Sequence, residues 1–318
     1  MMMVLAGALG AKNVCAEAPA APMSWTTLGT AGGPVIRTDR SQPANLLTVG
    51  NDLWLVDCGD GCLERLSGAG AQPARVSAVF ISHLHMDHIG GLQGLIGVRW
   101  MQNATGALTI YGPPGIEQVV EGIVQSLAPS TRIGFGEGGA LPKDTVTVVV
   151  LKGGSDLTVD GTRIRVVQNS HFDTDVGKPA DNGTQSLSYR FDRGGQGIGY
   201  TGDTGPSIAV TDLFKGSDLI VSEVIDLPGV VAKIEGPAST TPPQFRAGLI
   251  AHLKSQHLTP EEAGQMAAAA GARTLVLTHL SIIGKTDDLA PKLTSEAHNS
   301  FKGTVVVAHD LDTFQPAK

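Results

Sequence analysis

The chain has 318 residues, 42% hydrophobic and 17% charged, with a formal net charge of −7. This balance excludes a disordered or fibrous chain, and the length suffices for one large α/β domain with a buried core. It also speaks against a grip on long nucleic acid, which needs a positive footprint, and no apolar run reaches the roughly 18 residues of a membrane span.

Residues 3–11 (MVLAGALGA) are apolar, and Ala16-Glu17-Ala18 and a Pro/Ala-rich segment to Pro22 follow. This pattern predicts an export leader over 1–22 and a periplasmic or secreted protein; the basic start of such a leader is missing, and if the segment is only an N-terminal tail the protein is cytoplasmic. The domain itself is expected over 23–318, with no linker to divide it. Candidate strands are 25–29, 34–37, 45–49 and 52–57, then 76–82, 107–111, 145–151, 163–169, 185–191, 197–201, 218–222, 273–278 and 304–308. Candidate helices are 61–67, 88–101, 115–127, 206–214, 259–270 and 288–300. The clearest helix start is Thr259-Pro260-Glu261-Glu262, a capping box with proline in the first turn, and Gly271 ends that helix. Residues 227–257 carry Pro228, Pro237, Pro242 and Pro243 and read as a lid insertion. Cys58 and Cys62 read as buried free thiols, since the three cysteines are too few for a disulfide framework. Meander-like strands followed by strands mixed with helices predict two sheets with helices outside, a four-layer αββα sandwich.

The chemistry concentrates in Ile81-Ser82-His83-Leu84-His85-Met86-Asp87-His88. The run 76–82 reads as a buried strand, so these residues lie at a sheet's rim. In extended chain His83 and His85 point the same way and can share one metal, while Asp87 and His88, at the turn into a helix, can serve a second. Imidazole and carboxylate donors suit zinc foremost, with iron or manganese as the alternatives. Read singly, His171, Asp203 and His279 say far less; each stands at the predicted end of a strand, where the first cluster also lies.

His83-x-His85-x-Asp87-His88 resembles the signature of the metallo-β-lactamase fold hydrolases. Asn169-Ser170-His171, Thr201-Gly202-Asp203-Thr204 and Thr278-His279 resemble the later motifs of that superfamily, in order. The resemblance implies one metal on His83, His85 and His171, another on Asp87, His88 and His279, and Asp203 shared. It also implies that Asp57 braces the metal loop without being a ligand. Two such cations make a shared water nucleophilic and leave the centre net positive, which mildly favours an anionic ester.

The opening Leu28-Gly29-Thr30 through Pro34 and the segment Gln256-His257-Leu258-Thr259 resemble the ribonuclease Z and arylsulfatase-like branch. Ser222-Glu223 stands where that branch has His-Glu, with serine in the histidine's place. By this resemblance His257 gives a proton to the leaving group and Glu223 holds its ring, so that Asp87, His257 and Glu223 are the catalytic candidates. His252, His298 and His309 belong to no motif and read as surface or packing residues. Too little chain separates His171 from the strand at 185 for the tRNA-gripping arm of ribonuclease Z. The expected activity is therefore hydrolysis of a small phosphodiester or aryl sulfate. A β-lactamase or lactonase is the alternative, and a non-hydrolytic di-iron protein a third class. The expected partner is a small molecule, with a homodimer as an option.

Overall fold

A computed structural model describes residues 22–133, 140–174, 178 and 182–316. The predicted leader lies outside them, apart from Pro22, as does Cys15. Six strands build the first sheet in chain order: β1 (Met23–Gly29), β2 (Ala44–Val49), β3 (Asp52–Cys58), β4 (Val76–Phe80), β5 (Leu108–Gly112) and β6 (Val146–Val150). Seven build the second: β7 (Asp156–Val159), β8 (Thr162–Gln168), β9 (Leu187–Arg193), β10 (Gln196–Tyr200), β11 (Leu219–Ile225), β12 (Thr274–Ser281) and β13 (Thr304–Val307). A short β14 (Thr313–Phe314) then returns to pair with the edge of β1. Both sheets begin as antiparallel hairpins and continue in parallel, β3 to β6 in one and β10 to β13 in the other.

Alternation along the strands sorts the side chains into layers. Trp25, Trp54 and Phe80 of the first sheet meet Tyr189, Phe191 and Tyr200 of the second in the central core. The outward face of the first sheet is covered by α1 (Cys62–Gly68), α3 (Leu92–Met101) and α4 (Ile116–Thr131), with α2 (Met86–Ile89) and α5 (Pro142–Thr145) as single turns. The outward face of the second is covered by α6 (Ile208–Phe214), α9 (Pro260–Ala270) and α10 (Thr286–His298). The result is the αββα sandwich expected from the sequence. Thr259 and Glu262 form the predicted capping box, and Gly271 closes α9 at φ 69°.

Four differences from the sequence expectations are informative. Residues 34–37 form no strand: Val35 and Ile36 are 66% and 73% exposed, on a loop running past the site rather than in a sheet. The helix expected over 88–101 is divided at Gly90-Gly91, where a Cβ on Gly91 would come 2.5 Å from the Gly59 carbonyl oxygen. Residues 227–257, for which no helix was expected, contain two, α7 (Leu227–Glu235) and α8 (Pro243–Gln256). Pro228 and Pro243 stand in the first turns of these helices, where proline's missing N–H costs nothing. The short edge strands β7 and β14 carry too few residues for a pattern. Cys58 and Cys62 are free and buried, as expected. Among the described residues no helix is long and apolar enough to cross a membrane.

Candidate metal centre

The carboxyl ends of the parallel strands converge on one rim, the usual place for a site in such sheets. The segment after β4 brings His83 and His85, α2 brings Asp87 and His88, and the chain beyond β8 brings His171. Asp203 follows β10, and His279 lies within β12. All seven predicted ligands meet. His85 Nδ1 lies 3.1 Å from His83 Nε2 and 3.3 Å from His171 Nε2. Asp87 Oδ2 lies 3.5 Å from both His88 Nε2 and His279 Nε2. Asp203 stands between the two groups: Oδ1 is 3.3 Å from His88 Nε2, and Oδ2 is 3.2 Å from His279 Nε2 and 3.9 Å from His83 Nε2.

His279 reaches the centre through a bulge. Glu223 pairs with Thr278 and Val224 with Leu280, so His279 is the extra residue of β12, and its φ of 44° turns the side chain to the rim. Gly202, at φ 58°, plays the corresponding part before Asp203.

Asp57 ends β3 beneath this cluster and is fully buried. Its Oδ1 accepts from the Ser82 backbone N–H at 2.7 Å. Its Oδ2 accepts from Ser82 Oγ at 2.8 Å, Tyr200 OH at 2.6 Å and His88 Nδ1 at 2.8 Å. Fixing the proton on His88 Nδ1 leaves Nε2 as a free donor atom. His171 is set in the same way, its Nδ1 donating to the Gln256 carbonyl at 3.0 Å.

The donor atoms fit a bound cation better than they fit one another. His88 Nε2, Asp203 Oδ1 and both ring nitrogens of His279 are buried without a hydrogen-bond partner, although polar neighbours lie within 3.2–3.8 Å. His88 Nε2, His279 Nε2 and Asp203 Oδ1 converge, while His279 Nδ1 faces Glu223, and buried polar groups left without partners imply something between them. In each of the triads His83–His85–His171, His83–His88–Asp203 and Asp87–His88–His279 one ligand atom per residue lies within 4.8 Å of the others, and the same holds for His171–Asp203–His257 and Glu223–His257–His279. Burial pushes the imidazole of His83 well down and that of His171 down to about 3, so both are neutral donors. Burial also disfavours charge on His88, but Asp203 and Asp57 outweigh it and hold this imidazole well above its ordinary value. The same carboxylates that retain a proton there would retain a metal.

Glu223, 1% exposed on β11, lies beside this set. It accepts from the Thr204 and Leu258 backbone N–H groups at 3.0 and 3.3 Å and faces His257 Nδ1 at 3.0–3.1 Å. The carboxylate outweighs burial and raises the His257 imidazole to about 9. The His257 ring centroid is 5.1 Å from that of His171. Ser222 turns away, donating to a backbone carbonyl.

A cavity of ≈290 Å³ opens onto these residues, walled by Gly33, Pro34 and Met86 on one side and by Leu249, His252 and Leu253 of α8 on the other. His252, expected as an ordinary surface residue, therefore faces the site. Its place was hidden because the helix carrying it was not foreseen; Leu249, His252 and Leu253 share a face at spacings of three and four. Gly33 is required sterically, since a Cβ there would lie 2.0 Å from Asp87 Oδ2.

A family model described as a beta-lactamase superfamily domain matches residues 54–280. A protein of Mycobacterium bovis (strain BCG / Pasteur 1173P2) named Ribonuclease Z is 31% identical over 292 residues, covering 90% of this chain and 95% of its own. Among solved structures, the metallo-beta-lactamase fold protein YhfI from Bacillus subtilis superposes with a TM-score of 0.66 at 24% identity, covering 93% of this chain and 99% of its own. The short form of human tRNase Z gives 0.64 at 20% identity, covering 93% and 100%. These two likenesses speak to the fold.

Proposed function

The chain belongs to the metallo-β-lactamase superfamily, in its ribonuclease Z branch, and is a metal-dependent hydrolase; from that premise we propose that it cleaves phosphodiesters at a pair of divalent ions. His83, His85 and His171 would hold one ion, Asp87, His88 and His279 the other, and Asp203 both. Zinc suits this donor set foremost, with iron or manganese as alternatives. When bound, such a pair lowers the pKa of a shared water toward neutrality and offsets charge developing on the phosphoryl oxygens. Asp87 lines the cavity and would orient the attacking water. His257, held through Nδ1 by Glu223, would present Nε2 to the departing oxygen and protonate it.

The observation that carries this reading is the buried Glu223–His257 pair beside the seven donors, at 3.0–3.1 Å. An alkoxide leaving group needs an acid, and a histidine raised by a carboxylate supplies one at neutral pH. The compact cavity under α8, with neither lysine nor arginine in its lining among the described residues, favours a small diester. The hairpin β9–β10 also occupies much of the interval between His171 and Asp203. RNA is the second reading, carried by the match to a protein named Ribonuclease Z over 95% of that protein's length.

The test is a substrate panel on metal-loaded protein: bis(p-nitrophenyl) phosphate, an aryl sulfate, nitrocefin, an acyl-homoserine lactone and a precursor tRNA. Fastest turnover of the phosphodiester is expected. Preference for the lactam or lactone would overturn the phosphodiesterase reading. Efficient trimming of the precursor tRNA would transfer it to RNA.

A further inference from the structure

The acid assigned above fixes where the leaving group must sit. If His257 protonates the departing oxygen, the group attached to that oxygen extends from His257 into the remaining cavity. The wall there is α8. Leu249, His252 and Leu253 are its inward face, half-buried on a helix none of whose residues is fully buried. The His252 ring stands 6.0 Å from that of His257 and 6.1 Å from that of His171, centroid to centroid. Its ring nitrogens make no hydrogen bond among the described residues and are free to meet a ligand. Opposite stand Pro34 and Met86, and Met86 is 72% exposed beside the exposed Ile36. Large apolar side chains left exposed around a polar cleft mark a binding surface.

We propose that the inward face of α8 is the leaving-group subsite, with Leu249 and Leu253 clamping a compact apolar alcohol or phenol against Met86 and His252 hydrogen-bonding to an acceptor on it. This rests on the phosphodiesterase reading and narrows its substrate class. A departing polynucleotide would carry a further phosphate within one nucleotide, and among the described residues no lysine or arginine lines the cavity to meet it.

The test has a readout apart from turnover. Phenylphosphonate and methylphosphonate are titrated calorimetrically into the metal-loaded protein, its Leu249→Ser and Leu253→Ser variants and their combination. Wild type should bind the phenyl compound about tenfold tighter, the scale of an apolar pocket's discrimination, and the double variant should lose most of that preference. With phenyl methyl phosphate, the same substitutions should raise KM rather than lower kcat. His252→Ala should raise KM several-fold for a leaving group bearing an acceptor, with partial rescue by His252→Gln. Equal affinity for the two phosphonates in wild type, or an undiminished preference in the double variant, overturns the subsite. Faster turnover of uridylyl-uridine than of phenyl methyl phosphate also overturns it. A wild type that prefers the phenyl ligand but turns over no diester would sink the phosphodiesterase reading, and the leaving-group role with it, and leave α8 only as an apolar binding wall.

Discussion

The Asp57 carboxylate lies 2.8 Å from His88 Nδ1, and its other side-chain partners among the described residues are Ser82 and Tyr200. Asp57 thus accepts four hydrogen bonds directly beneath the candidate donors. Asp57→Ala would leave four hydrogen-bonding groups in a dry interior without their acceptor. A loss of roughly 3–5 kcal/mol in stability is expected, the scale of breaking a buried charged network. Metal affinity should fall about 10–100-fold, as for other residues that orient a ligand. Denaturant unfolding and metal titration of the variant check both figures; an affinity within twofold of wild type would show that His88 needs no bracing.

Gly33 gives a more local prediction. A methyl group there would meet the Asp87 carboxylate at 2.0 Å. Gly33→Ala should therefore displace Asp87 and weaken the site built on Asp87, His88 and His279 while leaving the fold intact. The expected result is loss of about one metal per chain with a nearly unchanged melting temperature for the metal-free protein.

For His257, the prediction concerns the leaving group. His257→Ala should reduce kcat by about 10²–10⁴ for an alkyl diester, whose departing oxygen needs a proton, and far less for a p-nitrophenyl ester. Metal content should not change. Equal losses on both esters would remove the acid role.

Metal removal should be visible in stability as well as in activity. The unpaired atoms of His88, Asp203 and His279 are buried at the centre, so a cation bound to the native state stabilises it by mass action. Saturation at about a thousand times Kd corresponds to roughly 4 kcal/mol. Chelation should therefore lower the melting temperature by several degrees, and zinc should restore it. An unchanged melting curve would mean that these atoms are satisfied in another way.

Much of this site was legible because its densest part obeys a period of two. His83 and His85 follow an apolar strand, and extended chain alone puts them on one side. His279 was legible only through resemblance, since a bulge and a φ of 44° aim it, and neither leaves a mark in Thr278-His279-Leu280. Asp57 likewise looks like any turn residue after a strand. The helices within residues 227–257 were missed for a definite reason: Pro228 and Pro243 stand in their first turns, and hydrophobic spacing on α8 is too weak to reveal its inward face. Residues 34–37 were misread because Val35 and Ile36 have strand-like chemistry but stand exposed on the loop beside the site. The layers of the sandwich were readable from alternation, and residues 227–257 read as a lid insertion; the two helices within that segment were not readable.

The most direct test is elemental analysis of the purified protein beside its Asp203→Ala variant. Two divalent ions per chain are expected in wild type, zinc foremost, and a marked loss in the variant, whose missing carboxylate stood between both groups of donors. Fewer than one ion per chain in wild type after reconstitution, or the same occupancy in the variant, would contradict the paired centre.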